Sequence, residues 1–200
     1  MPVLPDSAYL VGATAIAVHL GHRESRDLDF FLSAPEDLVA LADALGETGD
    51  FVPTTLQDDT LHGVLDEAKV QFLLADAQHV LEPLTTVAGI RVAGIGDLLA
   101  TKLKVLAGRG ELRDYFGVMT IEQQAGRRVE EGLALVVARY RPRVPDQVVD
   151  SIVRSLGYFG DVDDDLQLPV ERKAIERYWQ RRQPEVIRSL DRRAGSPGGP

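Results

Sequence analysis

The chain has 200 residues, of which 44% are hydrophobic and 26% charged, and its net charge is −9 at pH 7. This length suits one domain or two small ones, and the negative charge argues against a general nucleic-acid coat protein. The absence of cysteine excludes disulfides and thiolate metal sites, and with no long apolar run and no N-terminal leader we expect a cytoplasmic protein without a membrane span.

The first half of the sequence mixes strands with helices. Apolar runs and turn residues predict strands over 8–11, 27–32 and 90–92, a hairpin over 61–74, and helices over 13–20 and from a Ser33 cap to about Gly46. Pro35 is expected in the first turn of the latter helix.

The second half is predicted to be almost entirely helical. A helix over 96–107 is expected to end at Gly108, and breaks are expected at Gly126, 142–145 and 157–165. The pattern indicates an α+β protein with a small mixed or antiparallel sheet. We expect a sheet domain over 1–95, a helical subdomain over 96–193 and a disordered tail over 194–200.

Two carboxylates stand at the start of the second predicted strand. Asp27 and Asp29 project to the same side because side chains alternate along a strand, and there they repel each other. A divalent cation turns this cost into a gain, and carboxylate oxygens suit Mg²⁺ or Mn²⁺. The alternative is a surface pair that binds nearby amides or pairs with Arg23 and Arg26.

The junction between the first strand and the first helix is a candidate phosphate site. Gly12 allows the backbone to approach a ligand closely, and the helix that follows offers free N–H groups at its start. Thr14 adds a hydroxyl in the same turn. The alternative is that Gly12 only turns the chain.

Lys102 is predicted to lie at the apolar face of its helix. Its neighbours three and four positions away are Leu98, Leu99, Val105 and Leu106. A lysine turned inward needs an anionic partner, which could be a bound phosphate or a structural aspartate. Arg109 and Arg113 share a face nearby and could bind phosphate or form surface ion pairs, and Asp114 follows at a helix start.

The C-terminal segment is basic although the chain is acidic. Residues 171–200 contain eight basic and four acidic side chains, a net charge of +4, which leaves −13 for residues 1–170. This segment could contact an RNA backbone or an acidic partner, or form an amphipathic helix packed on its own domain. The lone Trp179 could stack on a base or anchor that helix.

Two stretches together resemble a known family. "GATAIAVHLGHRESRDLDFF" (12–31) and "DLLATKLKVLAGRGELRD" (97–114) are similar to motifs of the AbiEii/AbiGii-type nucleotidyltransferases, the toxins of type IV toxin–antitoxin systems. The resemblance implies a DNA-polymerase-β-like nucleotidyltransferase fold. It also implies transfer of a nucleoside monophosphate from an NTP to an acceptor, such as tRNA or another RNA, or a protein, and a cognate antitoxin as partner.

The resemblance also implies a role for individual residues. Asp27 and Asp29 would bind Mg²⁺ or Mn²⁺, and Asp114 would lie near the acceptor as a candidate base. The positions implied for binding the nucleotide and its phosphates are Gly12, Ala13, Thr14, His22, Arg23, Ser25, Lys102 and Arg109.

The sequence departs from the family pattern at three places. Ala13 replaces a second glycine, Gly117 replaces a second acid after Asp114, and the strand over 68–74 has no acid in its middle. One alternative is therefore a degenerate nucleotidyltransferase that binds nucleotide or a partner without catalysis. A further alternative is an antibiotic-modifying nucleotidyltransferase.

Overall fold

The computed structural model describes residues 3–194, without the side chains of Arg109, Arg193 and Ala194. The described strands are β1 (Ala8–Val11), β2 (Leu28–Leu32), β3 (Phe51–Gln57), β4 (Thr60–Leu65), β5 (Ala68–Leu74), β6 (Thr85–Val87) and β7 (Ile90–Val92). The described helices are α1 (Gly12–Leu20), α2 (Leu38–Gly46), α3 (Ile95–Arg109), α4 (Leu112–Ala125), α5 (Val129–Tyr140), α6 (Pro145–Ser155) and α7 (Arg172–Ala194). None of these helices combines the length and apolarity that crossing a bilayer requires.

The strands form one mixed sheet in the order β3-β4-β5-β2-β1-β7-β6. The central strand β2 pairs antiparallel with β1 and parallel with β5. The hairpin expected over 61–74 is present as β4 and β5. The predicted α+β class with a small mixed sheet is therefore confirmed.

One face of the sheet carries the core of the first half. Leu10, Phe30, Phe72 and Leu61 are paired in register across β1, β2, β5 and β4, and each is buried. The Phe30 and Phe72 rings stack with their centroids 5.0 Å apart. Since side chains alternate along a strand, the residues next to this row lie on the other face.

The second half has its own core, to which α7 contributes its apolar side. Ile175, Trp179 and Val186 of α7 are fully buried, and the Trp179 indole N–H donates to the backbone oxygen of Tyr115 at 3.2 Å. The predicted packing of the basic helix on its own domain, with Trp179 as an anchor, is confirmed.

Tyr115 joins α4 to the end of α6 and the loop after it. Its hydroxyl lies 3.0 Å from the backbone oxygens of Ser155 and Tyr158. Burial, together with the negative charges of Asp161 and Asp114, raises the pKa of Tyr115 to about 12. The phenol therefore remains a neutral hydrogen-bond donor at physiological pH.

The chain divides into two compact units between Leu98 and Leu99, within α3. The domain boundary expected between residues 95 and 96 stays a prediction. Of the tail predicted to be disordered over 194–200, the backbone of Ala194 ends α7, and the rest lies outside the described residues.

The predicted start of α2 and the predicted end of α3 are wrong. α2 begins at Leu38, later than predicted, because the Asp37 carboxylate accepts hydrogen bonds from the backbone N–H groups of Val39 and Ala40. Ser33 instead donates its hydroxyl to the Ser7 backbone oxygen. α3 continues through Gly108 to Arg109, because an isolated glycine lowers helix stability without ending the helix.

Candidate functional site

Gly12 and Asp29 are in contact at the end of β1. Gly12 has a φ of 71°, and a Cβ built on it would lie 2.3 Å from Oδ2 of Asp29. Asp29 is placed there because it pairs with Val11, the residue before Gly12. The predicted phosphate turn and the second predicted carboxylate therefore lie in one place, and only glycine fits between them.

The Thr14 hydroxyl joins the start of α1 to the segment that carries the first carboxylate. Its Oγ1 lies 2.8 Å from Oγ of Ser25 and also hydrogen-bonds to the backbone oxygen of Asp27. Thr14 and Ser25 thus hold the backbone of Asp27 beside the helix start. Asp27 itself is half-buried and directly precedes β2.

The N-terminus of α1 is a candidate anion site. Val11, its N-cap, supplies no side-chain hydrogen bond, and its first turn contains no acidic residue. Val11 therefore leaves the backbone N–H groups at Ala13 and Thr14 uncapped by its own side chain. Such groups, with the helix dipole, form a ready anion site.

Three further predicted residues lie in the segment between α1 and β2. His22 and Arg23 are half-buried, whereas Arg26 is exposed. The Arg23 guanidinium donates to the backbone oxygen of Glu24 at 3.0 Å. In the described part of the chain, neither arginine forms an ion pair with Asp27, so the suggested surface pairing is not what the structure contains.

Lys102 and Asp114 form a buried ion pair. Lys102 Nζ lies 2.6 Å from Oδ1 of Asp114, and the two side chains are 12% and 8% exposed. The Asp114 Oδ2 accepts from the backbone N–H of Glu111 at 3.0 Å, closing a capping box at the start of α4. Lys102 does face inward, and the anion that it meets here is an aspartate.

The acidic residue five positions before Lys102 supports a loop. Asp97 is buried, and its carboxylate accepts from the backbone N–H groups of Leu81 and Glu82 at 2.9–3.2 Å. Glu82 in turn accepts from the N–H of Gly96 at 2.8 Å. Asp97 thus fixes the loop before β6 to the start of α3.

Of the two arginines expected near Lys102, Arg113 pairs with a surface carboxylate. The side chain of Arg109 lies outside the described residues. Arg113 forms an ion pair with Glu111 at 2.6 Å, and both side chains are about half exposed. Of the two alternatives for Arg113, phosphate binding or a surface ion pair, the structure contains the ion pair.

The donors around Gly12 fit a metal-bound phosphate. The hard carboxylate oxygens of Asp29 stand beside a helix start whose glycine is required by close contact. The backbone of Asp27 is held beside the same helix start by Thr14. Mg²⁺ commonly binds one or two protein carboxylates and completes its shell with phosphate oxygens and water. Within the described residues, no three His, Cys, Asp or Glu side chains are grouped so as to hold a metal.

The sequence prediction missed two polar residues beside this pair. Gln71 pairs with Asp29 in the parallel β2–β5 ladder, and His62 pairs with Gln71 in the antiparallel β4–β5 ladder. Residues paired in register share a face of the sheet. The alternation of polar residues in β4 and β5 indicated that Gln71 and His62 lie on the polar face of their strands. The order of the strands was needed to show that this face is the one that carries Asp29.

Residues 2–73 match the family model of the nucleotidyl transferase AbiEii toxin, Type IV TA system. This match confirms the resemblance predicted from the sequence, and with it the prediction of a nucleotidyltransferase. A protein of Aquifex aeolicus (strain VF5), described as uncharacterized protein aq_aa25, is 29% identical over 175 residues, covering 86% of this chain and 81% of that protein.

Two crystal structures from Helicobacter pylori have a similar fold. JHP933 aligns with a TM-score of 0.54 and 16% identity, covering 94% of this chain and 87% of its own. A candidate nucleotidyltransferase aligns with a TM-score of 0.56 and 19% identity, covering 93% and 88%. At these identities the two structures support the fold alone.

Proposed function

We propose that this protein is a metal-dependent nucleotidyltransferase that transfers a nucleoside monophosphate from an NTP to an RNA acceptor, as the toxin of a type IV toxin–antitoxin pair. The family match over residues 2–73 supports the reaction class and the antitoxin. The observation that carries the proposal is the contact of the Asp29 carboxylate with Gly12 at the start of α1.

The residues around Gly12 would bind and orient the triphosphate. Backbone N–H groups at Ala13 and Thr14 would donate to its oxygens, while Thr14 and Ser25 keep Asp27 in place. When bound to Asp27 and Asp29, Mg²⁺ or Mn²⁺ would neutralise the charge that develops on the phosphate oxygens.

His22, Arg23 and Arg109 enter the proposal as residues that line the nucleotide site. The Arg23 guanidinium uses one donor on the Glu24 backbone oxygen and has others left. A cation at this position would stabilise the pyrophosphate as it leaves.

Lys102 and Asp114 enter the proposal as a coupled pair. The ammonium group of Lys102 has three donors, and the hydrogen bond to Asp114 uses one. We propose that Asp114 holds Lys102 in the orientation in which its other donors bind phosphate. A role of Asp114 as a base is less compatible with this pairing, because both of its oxygens already accept hydrogen bonds.

The decisive experiment compares Asp29→Asn with wild-type protein. Purified protein is incubated with Mg²⁺, each radiolabelled NTP and a tRNA pool, and label in RNA is measured. We expect at least a roughly 100-fold loss of transfer, the scale of losing a main charge-stabilising group. Asp58→Asn, in the exposed β3–β4 turn of the same sheet, should transfer normally; equal labelling by Asp29→Asn would refute the proposal.

The toxin role has a separate test in cells. Induced wild-type protein should arrest growth, and Asp27→Ala expressed at the same level should not. Arrest by Asp27→Ala equal to that by wild type would contradict a toxicity based on nucleotidyl transfer.

A nucleotide-binding module is the second candidate function. The neutral Gln71 beside Asp29 favours it. Both functions predict that Mg²⁺ with NTP raises the melting temperature. Only the enzyme labels RNA, so a thermal shift without labelling of any RNA or protein would select the binding module.

A further inference from the structure

We infer that Gln71 and His62 form the acceptor side of the proposed site and bind the 3′-terminal ribose of an RNA. This rests on the proposed function and extends it by assigning the acceptor to particular residues. The two residues are called the acceptor strip below.

The sheet order separates the two sides of the carboxylates. β1, which leads into α1, lies on one side of β2, and β5 followed by β4 lies on the other. The phosphate-binding groups at Gly12 and Thr14 are therefore on the β1 side of Asp29. Gln71 and His62 are on the opposite side, in the same register row and on the same face.

The geometry of phosphoryl transfer indicates which side of the carboxylates binds the acceptor. The acceptor oxygen forms a bond to the α-phosphorus while the bond to the pyrophosphate oxygen breaks; pyrophosphate leaves with the electron pair, and the hydroxyl proton passes to water. The attacking and leaving oxygens are roughly in line. If the leaving phosphates lie at the start of α1, the acceptor must approach from the side of β5 and β4.

Both members of the acceptor strip have unused hydrogen-bonding capacity. Gln71 is half-buried, and no hydrogen bond joins its amide to any other side chain or backbone group in residues 3–194. His62 is also half-buried, and its Nε2 is buried without a partner within the same described range. Buried polar atoms are normally hydrogen-bonded, so an unpaired one beside a reaction site indicates a place for a ligand.

The spacing of the strip suits a ribose end. Gln71 and His62 stand directly opposite on neighbouring strands, which are about 4.8 Å apart. Two hydrogen-bonding side chains on neighbouring strands can converge so that each reaches one of the vicinal 2′- and 3′-hydroxyls of an RNA terminus. An amide and an imidazole can each accept from one hydroxyl and donate to another group.

The test measures binding of the RNA end directly. A tRNA pool labelled with fluorescein at the 5′ end is titrated with protein in Mg²⁺ and α,β-methylene NTPs, which cannot react. The same pool after periodate oxidation lacks the diol. We expect wild-type protein to bind intact RNA at least about five-fold more tightly than oxidised RNA, the effect of about one hydrogen bond.

Gln71→Leu and His62→Phe keep side-chain volume and should remove this preference. Gln57→Leu, on the exposed edge strand β3, should keep it. Gln71→Asn is the milder variant if Gln71→Leu lowers the yield of folded protein. Equal binding of intact and oxidised RNA by wild type, or the full preference in both strip variants, overturns the inference.

Failure of this inference can be distinguished from failure of the proposed function. The strip variants should keep the rise in melting temperature caused by Mg²⁺ with NTP, and Asp29→Asn should lose it. If both strip variants keep the full RNA preference while Asp29→Asn loses transfer, only the acceptor assignment is refuted. Transfer retained by Asp29→Asn refutes the proposed function whatever the RNA preference.

Discussion

Gly12 is constrained at the residue scale by two independent requirements. Its φ of 71° is left-handed, and the Asp29 carboxylate occupies the space of a Cβ. Gly21 has a similar φ of 57° but nothing within 4 Å of an added Cβ. The two glycines therefore allow backbone strain to be separated from the contact with Asp29.

We predict that Gly12→Ala abolishes the rise in melting temperature given by Mg²⁺ with NTP, because the methyl group displaces Asp29. Gly21→Ala should lower the free energy of unfolding by about 1–2 kcal/mol through left-handed strain but retain the nucleotide effect. Thermal melts with and without nucleotide measure both. A normal nucleotide response of Gly12→Ala would show that its contact with Asp29 is not needed.

The buried pair Lys102–Asp114 leads to a prediction on stability. Lys102→Met leaves an uncompensated buried carboxylate and should cost about 3 kcal/mol of unfolding free energy. Arg113→Met, which breaks the exposed pair with Glu111, should cost less than about 1 kcal/mol. Urea titrations of the three proteins measure this; similar small losses in both variants would mean that Asp114 is solvated without Lys102.

The sequence predicted some residues of the candidate site but not all of their contacts. Helical spacing placed Lys102 inward, but a phosphate and an aspartate satisfy a buried ammonium equally well, so its partner could not be deduced. The closeness of Gly12 and Asp29 followed from their motif only through the resemblance. Gln71 and His62 were not predicted because their position depends on which strands are neighbours.

At the scale of elements, α7 is held to α4 and α5 by a buried charge network. Arg182 of α7 lies 2.9 Å from Glu122 and also pairs with Glu130, and the Tyr178 hydroxyl donates to Glu122 at 2.6 Å. Removing one partner of such a network leaves a buried charge uncompensated. The network therefore fixes the position of α7 beyond what its apolar side chains do.

This network predicts an acid-dependent loss of stability. Burial acts to raise the pKa of Glu130, but the hydrogen bond from Arg182 and the positive charges of Arg182 and Arg128 outweigh it and hold the pKa below its ordinary value of 4.5. A carboxyl with a lowered folded pKa stabilises the fold above its unfolded pKa, and this contribution is lost as the pH falls through the folded pKa.

We therefore expect the unfolding free energy of wild-type protein to fall below about pH 4.5 more steeply than that of Glu130→Gln. Glu131→Gln is the matched control, because Glu131 is exposed and pairs with Arg127 on the surface. Urea titrations between pH 3 and 7 give the slopes. Equal slopes for wild type and Glu130→Gln would mean that another carboxyl controls acid unfolding.

Most elements were predictable from local pattern, and the exceptions have local causes. β1, the β4–β5 hairpin and the helices after residue 111 follow apolar periodicity and Gly or Pro breaks. β3 was missed because Pro53 and an exposed, mostly polar sequence remove the alternation of a buried strand. The start of α2 was misplaced because two good capping residues, Ser33 and Asp37, compete within five positions.

At the scale of the whole molecule, the net charge of the C-terminal segment is larger than the positive charge that it exposes to a partner. Arg182 is buried in the network with Glu122. Arg172 is bonded to Glu176 and to the backbone oxygens of Val162 and Phe159. The net charge of +4 counted from sequence thus includes guanidinium groups that already serve the fold and are not available to RNA.

The division into two units makes the single tryptophan a selective probe. Trp179 is fully buried in the second unit, whereas Gly12 and the carboxylates belong to the first. Far-UV circular dichroism reports on both units, but tryptophan fluorescence reports on the second. Each unit has its own buried apolar core, so each has its own source of stability.

We predict that urea unfolding followed by fluorescence and by circular dichroism gives different midpoints. Mg²⁺ with NTP should move the circular-dichroism transition to higher urea and change the fluorescence midpoint less, because the proposed metal carboxylates and the Gly12 turn belong to the first unit. Asp29→Asn is the control, in which nucleotide should move neither transition. Coincident midpoints that shift together with nucleotide would mean instead that the units unfold as one cooperative body.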